Sequence, residues 1–302
     1  MQQTGELEEI SVRDLKGLRI GNAQDDQAKT GVTVLLFDKG AKVGVDVSGG
    51  GPASRETHLA DPTTADNPIN AIAYGLAAAD GVMRYLEEHG VGYDTGYARV
   101  PLVCQSCIYD LGFGSASVRP DAAMGYEACE DAKANHPRSG NTGAGCGATV
   151  GKLCGMERAS KSGLGIYAVR LGRLEMAAVV VVNALGDIFD PESGKKIAGL
   201  RSEDGSGFAD TREELYKLSK RTDMFTGNTT IGAVITNGKF SKAEMNKIAS
   251  MTRNAYARCI NPVGTLADGD TIYAASVGDV EADINVAGTL AAQVMERAIA
   301  NA

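Results

Sequence analysis

Positive charge is in short supply in this chain: 30 lysines and arginines face 38 aspartates and glutamates, for a formal net charge of −8. With no basic patch to offset that balance, no nucleic-acid or anionic-membrane partner is expected. Histidine is scarcer still, present singly at His58, His89 and His136. "CQSC" (Cys104 to Cys107) has a zinc or redox spacing, but neither a second C-x-x-C nor a paired-histidine motif accompanies it, so no metal is expected. Apolar runs of about 18 residues or more are missing, and with them any expected membrane span. The opening "MQQTGELEEI" lacks a basic region followed by an apolar one, so no secretory signal is expected. The cytoplasm is the expected compartment, and the six cysteines are expected to be reduced thiols there.

What is present suits a globular enzyme. A chain of 302 residues, 43% apolar and with 38 glycines, can bury a sizeable core and turn tightly, as α/β or α+β proteins do. "GVTVLLFDKGAKVGVDVSGGG" reads as two strands around a Lys-Gly turn. "NPINAIAYGLAAADGVMRYLEEHG" reads as a helix with Asn67 as cap, Pro68 in the first turn and Gly90 as the stop. "VPLVCQSCIYDL" reads as a buried strand, "PDAAMGYEACEDAKA" as a short helix, and "GLGIYAVRLG" with "LEMAAVVVVNALGD" as a strand pair. The stretch from Pro191 to Gly227 lacks periodicity and reads as an exposed linker. Beyond it come the strand "TIGAVIT", a helix opened by a Ser241-x-x-Glu244 capping box, the strand "DTIYAASV" and a closing helix, "INVAGTLAAQVMERAIA". Strands and helices come in clumps rather than in βαβ alternation, which predicts stacked layers in a single globular body spanning residues 1–302.

"SGNTGAGCGATVGK" (Ser139 to Lys152) imitates a phosphate loop without being one. Its glycines are misspaced for Gly-x-x-x-x-Gly-Lys, and Leu153 follows Lys152 where Ser or Thr should stand. No strand precedes it, as a dinucleotide loop would require, so no cofactor is expected. It remains a glycine-rich backbone that carries one lysine.

"TGNTTIGAVITN" (Thr226 to Asn237) is open to three readings: a polar turn before a strand, a sugar acceptor at Asn228-Thr229-Thr230, or a site where the chain is cut. The expected compartment disfavours the second. The third has a chemical logic. A threonine hydroxyl is a poor nucleophile without an adjacent base. A cut after Asn228 would give Thr229 a free α-amine, with a pKa of about 7.7–8.0 against about 10.4 for lysine.

With these segments in this order, the chain resembles the P1 (DmpA-like) family of N-terminal-nucleophile hydrolases, which includes aminopeptidases, β-peptidyl aminopeptidases and 6-aminohexanoate (nylon) oligomer hydrolases. "SGGGPASRET", "NPINAIAYGLAAADGVMRYLEEHGVGY", "IYDLGFG", "GNTGAGCGATVGK", "VVNALGD", "GNTTIGAVITN" and "DGDTIYA" carry the resemblance over most of the chain. It implies a four-layer αββα sandwich, shared with ornithine acetyltransferase-like proteins. It implies self-cleavage between Asn228 and Thr229 into an α-chain (1–228) and a β-chain (229–302), with Thr229 as nucleophile. It places Asp268 and Asp270 of "DGDT" beside the nucleophile, where they could orient its amine, and Asn183 as an oxyanion donor. Lys152 matches an active-site lysine that could depress the amine's pKa or support the oxyanion. Tyr109 matches a pocket tyrosine. One departure is Tyr74, which stands in "AIAYGLAAADG" where much of the family has a glycine-serine run, and could reshape the pocket. The implied partners are a small peptide or amide substrate and further copies of the chain in a homo-oligomer, a tetramer by the resemblance. The implied activity is hydrolysis of amide bonds in short peptides, β-peptides or 6-aminohexanoate oligomers through an acyl-enzyme on Thr229. Acyl transfer, as in ornithine acetyltransferases, and an unprocessed, non-catalytic binding protein are the alternatives.

Overall fold

The structure, a computed structural model, describes residues 5–218 and 227–302. Its framework is ten strands: β1 (Leu7–Glu9), β2 (Leu18–Asp25), β3 (Thr30–Val47), β4 (Ser54–Arg55), β5 (Ile69–Tyr74), β6 (Val103–Ser106), β7 (Leu164–Leu171), β8 (Leu174–Asn183), β9 (Thr229–Gly238) and β10 (Thr271–Val280). The helices are α1 (Ala79–Glu88), α2 (Ala122–Asp131), α3 (Thr211–Tyr216), α4 (Lys242–Cys259) and α5 (Ile284–Ala300).

One strand organises the layers. The first half of β3 pairs with β2 and β5, and its second half pairs with β10. Between the halves the register slips from Leu36 to Ala41, around Gly40 at φ 74°. β3 therefore leaves one sheet (β2-β3-β5-β6-β4) and enters the other (β1-β7-β8-β9-β10-β3). The expected Lys-Gly hairpin is thus a single bent strand. Its halves do not pair with each other, because each has different neighbours.

Alternation along the strands then assigns the faces. On β8, Met176, Ala178, Val180 and Val182 pack with α4 and α5, while Ala177, Val179 and Val181 point into the space between the sheets. On β3, Val32, Val34 and Leu36 pack with α1 and α2, while Leu35 and Phe37 point between the sheets. The result is helix, sheet, sheet, helix: the αββα sandwich that the resemblance implies. Two tyrosines tie the sheets across the middle. Tyr74 donates to the Val179 carbonyl at 3.0 Å, and Tyr273 to the Gln105 carbonyl at 3.0 Å.

Two further expectations need correction. The proposed helix from Asn67 to Gly90 is a strand, β5, followed by the shorter helix α1. "INAIAY" is buried on both faces between β3 and β6, so a continuous apolar run here marks a central strand rather than a helix face. The supposed linker is also partly organised. Lys196–Ala198 pairs with Asp187–Phe189, and Asp210 caps α3. Asp187 gathers that stretch from beneath, accepting from Lys196 Nζ at 2.6 Å, Leu200 N at 2.8 Å, Thr211 N at 2.9 Å and Thr211 Oγ1 at 2.7 Å. The remainder of the supposed linker, residues 219–226, lies outside the described residues. The Ser241–Glu244 capping box opens α4 as read.

α4 lies directly on β3 at Gly44. A Cβ there would sit 2.0 Å from the Asn246 nitrogen, against backbone that cannot step aside. Gly44→Ala should therefore destabilise the protein by about 2 kcal/mol or more. Gly207→Ala, where no atom lies within 4 Å of the added carbon, should be close to neutral. Thermal unfolding midpoints of the two variants check this; equal midpoints would mean that α4 does not seat on β3 in this way.

Candidate active site

Three strand ends meet at the expected cleavage point. β8 runs antiparallel to β9, so its last residue, Asn183, pairs with Thr229, the first residue of β9. β9 and β10 run parallel, and a bridge from Asn228 to Asp268 extends their pairing one step upstream. Topology alone thus brings "VVN", "GNTT" and "DGDT" together from distant parts of the chain. Asn183, Asn228, Thr229, Asp268, Asp270 and Lys152 are each 4% exposed or less.

Thr229 Oγ1 donates to the carbonyl oxygen of Asn228 at 2.5 Å, across the peptide bond that precedes it. The same carbonyl accepts the Gly269 N–H at 2.8 Å. Nucleophile and polarising donor therefore face one carbonyl in the intact chain. A Cβ at Gly269 would lie 2.6 Å from Thr229 Oγ1 and 2.6 Å from the Gly51 carbonyl, so the backbone can come this close only without a side chain. Gly269 sits between the two aspartates of "DGDT", where no side-chain pattern in the sequence marks it.

Asn183 and Lys152 form the opposite wall. Asn183 Oδ1 accepts from Thr149 N at 3.1 Å and Lys152 Nζ at 2.9 Å, which fixes its amide so that Nδ2 donates to the Tyr109 and Gly227 carbonyls, both at 3.2 Å. Lys152 Nζ donates further to the Asn183 carbonyl at 3.0 Å and the Gly227 carbonyl at 3.4 Å. In the uncut chain, then, the expected oxyanion amide holds the carbonyl of Gly227, while the Asn228 carbonyl belongs to Gly269. Burial pulls the Lys152 ammonium down to about 7, against the opposing pull of Asp268 and Asp110.

The carboxylates hold backbone. Asp270 accepts from Thr230 N at 2.8 Å and Gly264 N at 3.2 Å. Asp268 accepts from Thr265 N at 2.9 Å, Thr265 Oγ1 at 2.7 Å and Leu185 N at 3.4 Å. Burial first, and then the charge of Asp268, raise the Asp270 carboxyl to about 7. Tyr109 is 46% exposed, and its ring covers Gly227, where a Cβ would meet it at 2.2 Å. Tyr74 does not reach the nucleophile; it lies in the core between the sheets and lines a neighbouring cavity. All six cysteines are free thiols, and Cys146 is buried in the glycine loop. No cluster of three or more metal-ligating side chains occurs among the described residues. None of the described helices is long and apolar enough to cross a membrane.

The profile of peptidase family S58 matches residues 11–302. The chain belongs to that family. An uncharacterized aminopeptidase of Mycobacterium leprae is 36% identical over 304 residues, covering 90% of this chain and 80% of the relative. A 6-aminohexanoate-oligomer endohydrolase of Kocuria sp. is 32% identical over 270 residues, covering 89% of this chain and 75% of the relative. Among solved structures, the L-aminopeptidase D-Ala-esterase/amidase of Ochrobactrum anthropi, described as a variant of the Ntn-hydrolase fold, superposes with a TM-score of 0.68 at 15% identity, over 96% of this chain and 85% of that one. A Burkholderia sp. beta-aminopeptidase gives a TM-score of 0.66 at 17% identity, over 100% of this chain and 87% of that one. These structures share the fold, and membership of S58 makes this family member a hydrolase of amide bonds.

The buried Lys152 carries a measurable signature. Its folded-state pKa of about 7 lies below the ordinary 10.5, so between those values the unfolded chain binds a proton that the folded chain has shed. Its contribution therefore makes stability rise with pH over that window. Asp270 acts in the opposite sense between 3.8 and about 7, where the folded chain holds the extra proton and stability falls as pH rises. In an uncut Thr229→Ala background, Lys152→Met should flatten the rise above pH 7. Urea unfolding should favour the Met variant, relative to its parent, by several kcal/mol more at about pH 7 than at about pH 10. Parallel pH profiles for parent and variant would refute a depressed Lys152.

Proposed function

We propose that the chain is an autoproteolytic N-terminal-nucleophile amidohydrolase in which Thr229 first cuts its own chain and then cuts substrates. The observation that carries this reading is the shared carbonyl of Asn228, contacted by the Thr229 hydroxyl on one side and the Gly269 N–H on the other. Oγ1 attacks the Asn228 carbonyl carbon, and the developing oxyanion is held by Gly269. The C–N bond breaks, the nitrogen of Thr229 takes up a proton, and Asn228 is left as an ester on Oγ1. Water opens that ester, leaving an α-chain of residues 1–228 and a β-chain of residues 229–302. The step is intramolecular and gains accordingly in effective concentration.

The free amine of Thr229 then serves as base for its own hydroxyl. Once Asn228 and Gly227 move away, the Asn183 amide and the Lys152 ammonium lose the Gly227 carbonyl and can turn to a substrate. The substrate's amide carbonyl takes the place of the Asn228 carbonyl, an acyl-enzyme forms on Thr229, and water releases it. Asp268 and Asp270 anchor the turn that carries Gly269 and supply negative charge beside the new ammonium. The relatives' names support short peptides, β-peptides or 6-aminohexanoate oligomers as the substrate class. A cytoplasmic homo-oligomer needing neither metal nor organic cofactor is the setting we infer.

Thr229→Ala should remain one chain of 31.4 kDa and be inactive, whereas the wild type yields two fragments by mass spectrometry. Cutting of the Ala variant between residues 228 and 229 would overturn self-cleavage. Gly269→Ala should slow maturation on the order of 10²-fold, because its methyl displaces both nucleophile and donor. Time-resolved mass spectrometry of the refolded precursor measures this, and an unchanged rate would remove Gly269 from the mechanism.

A further inference from the structure

Lys161 is a partly buried cation that the chemistry at Thr229 does not use. Thr149–Val150 and Ser160–Lys161 form a short antiparallel pair, in which Lys161 stands opposite Thr149. From there its ammonium reaches the glycine loop and donates to the carbonyls of Gly145 and Ala148, both at 3.0 Å, and to that of Ser162. It also lies over the ring of Phe113, 5.5 Å from the centre. All three acceptors are neutral oxygens. Burial, the largest influence, pulls the ammonium down to about 8; Cys146 and Asp110 raise it, and Lys29 lowers it.

Three carbonyls gathered at one point need three donors, and an ammonium supplies them together with a charge. The Ala148 carbonyl matters most. It belongs to the same planar peptide group as the Thr149 N–H, so fixing the oxygen on one side fixes the N–H on the other. That N–H donates to Asn183 Oδ1 at 3.1 Å. With Lys152 Nζ at 2.9 Å it commits Oδ1 as acceptor and turns Nδ2 toward the site. Without Lys161, the Ala148 carbonyl would keep only the Ser162 N–H at 3.1 Å.

We propose that Lys161 is a positioning residue for the oxyanion amide: its ammonium locks the Ala148–Thr149 peptide plane, and that plane locks Asn183. Lys161 itself touches neither the substrate nor the reacting atoms. The assignment rests on the reading of Asn183 as a donor to the substrate's oxyanion. It sets an alkaline limit on catalysis. A neutral Lys161 has two N–H donors for three carbonyls and no charge, so the loop slackens as pH rises through about 8.

The test has two arms. In the uncut Thr229→Ala protein, amide hydrogen exchange at Thr149 should quicken about tenfold or more on adding Lys161→Met. Adding Lys161→Arg instead, which keeps the charge at every pH, should leave it near the parent rate. On processed enzyme with 6-aminohexanoyl-p-nitroanilide, Lys161→Met should lower kcat about tenfold or more with KM little changed. Asn183→Ala should cost on the order of 10²-fold, and the double variant no more than Asn183→Ala alone, because one residue acts through the other. Lys161→Arg should stay active and carry that activity to higher pH than the wild type. Deprotonation of Lys152 is common to both proteins and cannot produce the difference. Losses that add, or Thr149 exchange indifferent to Lys161→Met, would overturn the positioning role while leaving the amidohydrolase reading intact. Quickened Thr149 exchange, where the wild type cuts neither itself nor the anilide, would leave the lock standing and overturn the amidohydrolase reading.

Discussion

The pairing of Thr229 between two strands is the constraint on which the site depends. On one side Asn183 ends β8 opposite Thr229; on the other, Asn228 bridges to Asp268 just before β10 begins. A slip of one residue in either ladder would turn Thr229 to the opposite face of the sheet. It would also take the Asn228 carbonyl away from Gly269. The geometry is held by a sheet buried on both faces, with the helices α4 and α5 behind it and the second sheet in front. Register here is fixed by the core, and the chemistry inherits that precision.

The charged groups around this point are costly to bury, and the structure gives Asp268, Asp270 and Lys152 each their own partners. Backbone N–H groups satisfy Asp268 and Asp270, neutral carbonyls and an amide satisfy Lys152, and Lys152 and Asp268 oppose each other's charge through space. The consequence is a pair of groups, Lys152 and Asp270, held near neutrality in their proton affinity. Groups poised in this way change charge at little cost when a new ammonium appears beside them.

Much of this was legible in the sequence, and the exceptions have physical causes. The later strands and the helix opened by Ser241 follow from periodicity and capping, which are local. Thr229, Asn183, Lys152 and the two aspartates were found by likeness of motif, and the structure brings them together at one point. Gly269 was missed because its contribution is a backbone N–H and the lack of a Cβ, neither of which has a side-chain signature. "INAIAY" reads as helix from sequence because a run buried on both faces has no period to read. The bend of β3 reads as a turn from sequence because Lys39-Gly40 carries the same local signal whether the strand reverses or changes sheets. Asp187 collects partners between 9 and 24 residues away, beyond the reach of any local pattern.

The order of strands in the larger sheet also determines what a break at Asn228–Thr229 would leave behind. β9 and β10 lie side by side in its middle, with β8 along one flank and β3 along the other. Both flanking strands precede the break, while the two central strands and the helices α4 and α5 follow it. The second piece would therefore be a wedge set inside the first, hydrogen-bonded along both edges and covered by shared core. Neither piece has a complete sheet without the other, so the two would behave as a single folding unit with an extra pair of chain ends. Dilution would not part them, and their association would be as cooperative as the fold itself.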